Sequence, residues 1–101
     1  GHAFQKVIAD VLTRYFRIQL SKDNVFFLTG TDEYGQKAEK AAFKAGVSTK
    51  EFVDKIATSD QKEQDSLSIS YDRFIRTTDP DHTKAVQEIW KRIDQTGDIY
   101  L

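Results

Sequence analysis

One short run constrains this chain more than any other feature. Val25-Phe26-Phe27-Leu28-Thr29 favours β-structure and does not alternate between apolar and polar residues. Such a strand is expected to be covered on both faces, as in a parallel sheet. It runs into Gly30-Thr31-Asp32, which turns the chain out of the sheet. Helical stripes lie on both sides. Phe4, Val7, Ile8, Val11, Leu12, Tyr15 and Ile18 recur at steps of three and four and predict a helix with an apolar buried face. Gln5, Lys6, Asp10, Arg14 and Arg17 are then expected on its solvent side.

After the turn, a helix is expected from Glu33 to Ala45, with Ala38, Ala41, Ala42 and Ala45 as a small-residue face for packing close to a sheet; Gly46 ends it. Ser48-Thr49-Lys50-Glu51 reads as a capping box that opens a third helix through Phe52, Val53 and Ile56. From Thr58 to Ser68 the pattern weakens, and the polar run Asp60 to Asp65 predicts a solvated helix or mobile connection. Tyr71 to Thr77 is the second expected strand. Asp79-Pro80 is a helix start, with Asp as N-cap and Pro at the first helical position. Val86, Ile89, Trp90 and Ile93 mark its expected buried face, with Trp90 as core rather than a platform for a base. Gly97 ends it, and Asp98-Ile99-Tyr100-Leu101 begins a further strand.

Strands alternating with helices predict an α/β fold built from parallel β-α-β units. Two full strands leave bare sheet edges, and the first helix has no strand ahead of it. The chain therefore reads as one incomplete domain over residues 1–101, part of a larger sheet. Bare edges and an uncovered apolar face favour self-association.

The totals narrow the function. A net charge of −1 supplies no bulk positive field to hold nucleic acid, so RNA contact must be local. The absence of cysteine removes disulfides, thiolate chemistry and cysteine-ligated zinc from this segment and fits a cytoplasmic protein, with an organelle also open. No apolar run approaches the about 18 residues of a membrane span.

Ligands of open α/β sheets bind beyond the carboxyl ends of the strands. Asp32 is expected there, either holding an ammonium group or capping the next helix. Gly1-His2 opens the first helix, where free N–H groups and the dipole attract phosphate; a frayed terminus is the plainer reading. His82, Lys37, Lys40 and Lys44 read as solvated surface. No phosphate loop of the Walker type, Gly-x-Gly-x-x-Gly run or metal-ligand cluster is present.

Several strings together resemble the methionyl-tRNA synthetase family of class I aminoacyl-tRNA synthetases. Gly1-His2-Ala3, followed by a helix with Ala9-Asp10 and Arg14-Tyr15, resembles the end of the family's His-Ile-Gly-His signature. Phe27 to Lys37 (Phe-Leu-Thr-Gly-Thr-Asp-Glu-Tyr-Gly-Gln-Lys) resembles its strand-to-helix segment. Ser70 to Pro80 is similar to the next strand and helix start, and Gly97-Asp98-Ile99-Tyr100 to the entry of its connective insertion.

The resemblance implies a partial Rossmann-like parallel sheet flanked by helices, with its first strand missing. It implies ATP-dependent activation of methionine to methionyl-adenylate, with Mg2+ accompanying ATP, and transfer to tRNA. By its motifs, His2 contacts ATP phosphates, Gly1 packs on the adenine side, and Asp32 holds the methionine ammonium. Tyr34 stands where the family writes a histidine that lines the methionine pocket. The family's lysine-rich second signature and its zinc-bearing insertion have no counterpart in these residues. A non-catalytic nucleotide-binding or protein-interaction module derived from the same fold is the alternative.

Overall fold

The computed structural model describes residues 2–100. Helix α1 spans His2–Leu20 and is followed by a short 3-10 turn, Lys22–Asn24. Strand β1 is Leu28–Thr31. Helices α2 (Gln36–Ala45) and α3 (Thr49–Ser66) lead to strand β2 (Arg73–Arg76), and α4 covers Pro80–Thr96. The two strands are parallel neighbours, with Leu28 paired to Arg73 and Thr31 to Arg76. The expected α/β, parallel framework is present. No helix is long and apolar enough to cross a membrane among the described residues.

Pairing fixes the strand boundaries. Phe27 O accepts from the amides of Asp72 and Arg73, so the ladder opens there rather than at Val25. The strand is not covered on both faces as expected: Phe26 and Leu28 are exposed. The strand expected from Asp98 does not form: residues 98–100 are irregular and the sheet of the described residues holds only β1 and β2, while Leu101 lies outside the described residues.

Local signals set the helix ends. Gly46 and Gly97 close α2 and α4 in the left-handed conformation. Ser48 Oγ accepts from Glu51 N at 3.1 Å, one half of the capping box, while the Glu51 carboxylate pairs with Lys55 instead of reaching back. Asp79 precedes Pro80 as expected, but its carboxylate accepts from Arg76 N at 2.9 Å, across the turn.

The core lies where α2 and α3 meet β1. Ala42, Val53, Ala57, Phe27 and Ile69 are its buried apolar residues. The small face of α2 packs on α3, not directly on the sheet as expected; Ala42 is buried and Ala45 exposed. Helix α3 continues through the polar stretch to Ser66 and is not simply solvated: Gln64 is 1% exposed.

The helix α1 is inverted relative to its hydropathy. Phe4, Val11, Leu12, Tyr15 and Ile18 are exposed, whereas Asp10 and Thr13 are buried. Its polar side meets the polar side of α3 and the segment before β2. Lys6 pairs with Asp60. Arg14 donates to Ser68 O at 2.7 Å, and Arg17 donates to Ser70 O at 2.9 Å and to Asp72 at 2.6 Å. Buried polar groups are tolerated when they find partners, and here the two polar surfaces supply most of them; Arg17 Nε and Gln64 Oε1 are buried without one. The expected buried face of α4 is also outward: Val86, Ile89, Trp90 and Ile93 are exposed, and Trp90 is not core.

Candidate active site

Strand β1 ends at Thr31, and an irregular turn from Asp32 to Gly35 leads into α2. Gly30 sits where the strands approach closely. A Cβ there would lie 1.9 Å from Ile75 O, so no larger residue fits without moving backbone. The amino end of α1 comes over the same end of the sheet, with no acidic residue in its first turn.

These elements enclose a cavity of about 440 Å3. His2 and Lys6 of α1 line it, together with Gly30 and Thr31 at the end of β1, Asp32 just after it, and Phe52, Val53, Ile56 and Asp60 of α3. Its volume is in the range of small-molecule sites, and its lining mixes apolar walls with a few polar groups in the usual manner of such sites. The two side chains singled out in the sequence, His2 and Asp32, border one space beyond the carboxyl end of a parallel strand.

Asp32 does not cap α2. The helix starts at Gln36 with Gly35 as its N-cap, at φ 129°, and no side chain bonds to that end. Asp32 Oδ1 instead accepts from Tyr34 N at 3.2 Å. The carboxylate has no cationic partner among the described residues and remains exposed to the cavity.

Its neighbour Glu33 is buried, at 7% exposure. Arg76 Nε donates to Oε1 at 2.5 Å and Nη2 to Oε2 at 2.9 Å, a two-point ion pair. Thr78 Oγ1 donates at 2.5 Å and Thr31 Oγ1 at 3.1 Å to the same carboxylate. Glu33 N donates to Thr77 Oγ1 at 2.9 Å. Burial alone would raise the Glu33 carboxyl, but the hydrogen bonds from Arg76, Thr78 and Thr31 outweigh it and hold it below the usual range. Hydrogen bonds to Glu33 and Asp54 push the Arg76 guanidinium up, so it stays charged.

Among the described residues, no three His, Cys, Asp or Glu side chains gather in a way that could hold a metal ion.

The family model for tRNA synthetases class I (M) matches residues 1–101. The chain belongs to that family. This synthetase segment is 50% identical, over its whole length, to methionine–tRNA ligase of Mycobacterium leprae and to that of Enterococcus faecalis. It spans only 18% and 15% of those relatives. The crystal structure of the Mycobacterium tuberculosis methionyl-tRNA synthetase bound by methionyl-adenylate superposes on 99% of the segment with a TM-score of 0.94 at 45% identity, using 19% of that chain. The segment is homologous to part of a methionine–tRNA ligase, as its sequence motifs imply.

The other expected site residues of the synthetase segment fall differently. Gly1 lies outside the described residues. Tyr34 is not brought to the cavity of His2 and Asp32. It is 67% exposed and lines a second cavity of about 560 Å3, with Gly35, Glu39, Lys50, Asp54 and Arg76. Glu33 borders both cavities. Lys37, Lys40 and Lys44 are exposed surface, and His82 is half-buried in the first turn of α4.

The clamp on Glu33 and the Lys6–Asp60 pair were not anticipated from the sequence. A signal for the first exists. An acid just after β1 and an Arg-Thr-Thr run closing β2 become neighbours once the strands pair in parallel register.

Proposed function

We propose that this chain forms one wall of the site where a methionine–tRNA ligase joins methionine to ATP. The single observation that carries the reading is the shared cavity of His2 and Asp32, residues far apart in sequence. The methionyl-adenylate named with the solved relative supports it.

Asp32, an unpaired carboxylate, holds the methionine ammonium. The amino end of α1 attracts ATP phosphates through its free N–H groups, and His2 adds a donor there. The methionine carboxylate attacks the α-phosphorus in line, the bond to the pyrophosphate oxygen breaks, and pyrophosphate leaves with the electron pair. A hydroxyl of the tRNA terminal ribose then attacks the adenylate carbonyl and AMP departs. No protein nucleophile takes part; orientation and charge stabilisation lower the barrier. Gly1 is assigned to the adenine side. Mg2+ arrives on the ATP phosphates. Tyr34 is assigned to the approach of the amino-acid site rather than to the cavity itself. The chain would be one half of a nucleotide-binding domain, in the cytoplasm or an organelle.

The module alternative draws on the exposed apolar stripes of α1 and α4, which suit protein contact. Methionine-dependent ATP–pyrophosphate exchange separates the two. A relative's ligase with its matching segment replaced by this chain should support exchange, and a chimera devoid of exchange would favour the module. In the active chimera, Asp32→Ala is expected to reduce kcat/KM for methionine by about 100-fold, as loss of one partner of a charge pair does. Unchanged exchange in that variant would sink the assignment of Asp32.

A further inference from the structure

The carboxylate assigned to the methionine ammonium stands on an irregular turn, and its own anchoring is slight. Asp32 makes one bond, from the Tyr34 amide. An exposed acid on such a turn samples several orientations, and each unproductive one weakens recognition. What holds the turn is the next residue. Glu33 is tied through its amide to Thr77 and through its carboxylate to Arg76, Thr78 and Thr31. Arg76 also donates to Asp54 Oδ1 of α3 at 2.6 Å. The clamp therefore joins the turn to both strands and to the helix that lines the cavity.

We propose that Glu33 and Arg76 are positioning residues for amino-acid recognition, holding the turn so that the adjacent Asp32 carboxylate stays presented to the cavity. The inference rests on the reading of Asp32 as the ammonium partner.

Three observations support it. Glu33 is buried while Asp32 beside it is exposed, so anchoring one leaves the other directed away from the clamp. Glu33 borders both cavities, so it stands between the Asp32 side and the Tyr34 side. The two-point pairing with Arg76 fixes rotation as well as distance, which a single contact would not. Lysine cannot reproduce that fork, because its ammonium is a point charge.

The test is a double-mutant cycle in the full-length chimeric ligase, combining Asp32→Asn with Glu33→Gln. We expect Glu33→Gln to raise KM for methionine by about 10-fold, within the cost of misplacing a binding group. KM for ATP should stay within about twofold. On the Asp32→Asn background, Glu33→Gln should add nothing, because the group it positions is already gone. Arg76→Lys should fall between the parent and Arg76→Gln, and thermal melting monitors folding of every variant.

An equal rise in both backgrounds, or a joint rise of both KM values, would overturn the proposal and leave the clamp a fold element only. If Asp32→Asn alone leaves KM for methionine unchanged, the ammonium assignment itself fails, which is a distinct result. Should Glu33→Gln melt below assay temperature, Arg76→Lys carries the same cycle.

Discussion

Asp10 lies on the inward side of α1 and is 8% exposed. Its Oδ1 accepts from the amide and the hydroxyl of Ser70, at 2.7 and 2.6 Å, and Oδ2 accepts from Arg14 at 2.7 Å. Burial would raise its carboxyl; the Ser70 and Arg14 hydrogen bonds prevail and lower it. Asp10→Ala is expected to cost about 2–3 kcal/mol, because bonds to a charged acceptor are lost and Ser70 N–H is left without its partner. Urea unfolding measures it, and a cost under about 0.5 kcal/mol would place Asp10 among ordinary surface residues. Residues of this kind were poorly legible in the sequence. His2 and Asp32 could be placed locally, at a helix start and a strand end, but the pattern left a frayed terminus and a helix cap open, and their ligand roles came from the family resemblance. Asp10 and Lys6 read as solvent-facing charges and Glu33 only as the start of a helix, since their partners lie 60, 54 and 43 positions away.

At the scale of elements, periodicity and caps located the four α-helices of the described residues, and a β-favouring run located both strands, while the further strand expected from Asp98 does not form over residues 98–100. The face each helix buries was read less well. Hydropathy assumes that apolar stripes point inward, but α1 packs through Lys6, Asp10, Thr13 and Arg17. Helix α3 answers with Asp60, so the interface is polar on both sides. Leu12 and Trp90, expected as core, are 51% and 61% exposed. Leu12→Ser and Trp90→Ser should therefore change unfolding free energy by less than about 0.5 kcal/mol. Sedimentation velocity on the same variants should show weaker concentration-dependent association than the parent, since an apolar stripe is shortened. A loss of several kcal/mol from either change would mean that these stripes are buried after all.

The whole molecule is an open slab, 45 × 43 × 22 Å, with a radius of gyration of 17.1 Å. A closed domain of this length has a radius near 13 Å. The apolar core is correspondingly small, and charge networks do much of the joining: Arg17 with Asp72, Lys6 with Asp60, and Arg76 with Glu33 and Asp54. Acid should therefore loosen the fold. The carboxyls of Asp10 and Glu33 lie below their ordinary values of 3.8 and 4.5 in the folded chain. As pH falls, the unfolded chain takes up protons first, so their contribution is complete above 4.5 and 3.8 and is lost toward the lower folded values. The urea midpoint should fall as pH drops below the ordinary carboxyl values, and Asp10→Asn should flatten that decline. A midpoint indifferent to acid would contradict the role given to these pairs.

The inverted packing of α1 also governs how the helix can move. Greasy surfaces let a helix slip or roll by a notch at little cost, because one methyl group substitutes for another. Here Lys6, Asp10, Arg14 and Arg17 each engage a named oxygen or amide, and a roll of one residue position would unfasten all of them together. The setting of this helix is keyed like a lock barrel, which fixes where its amino end stands over the sheet.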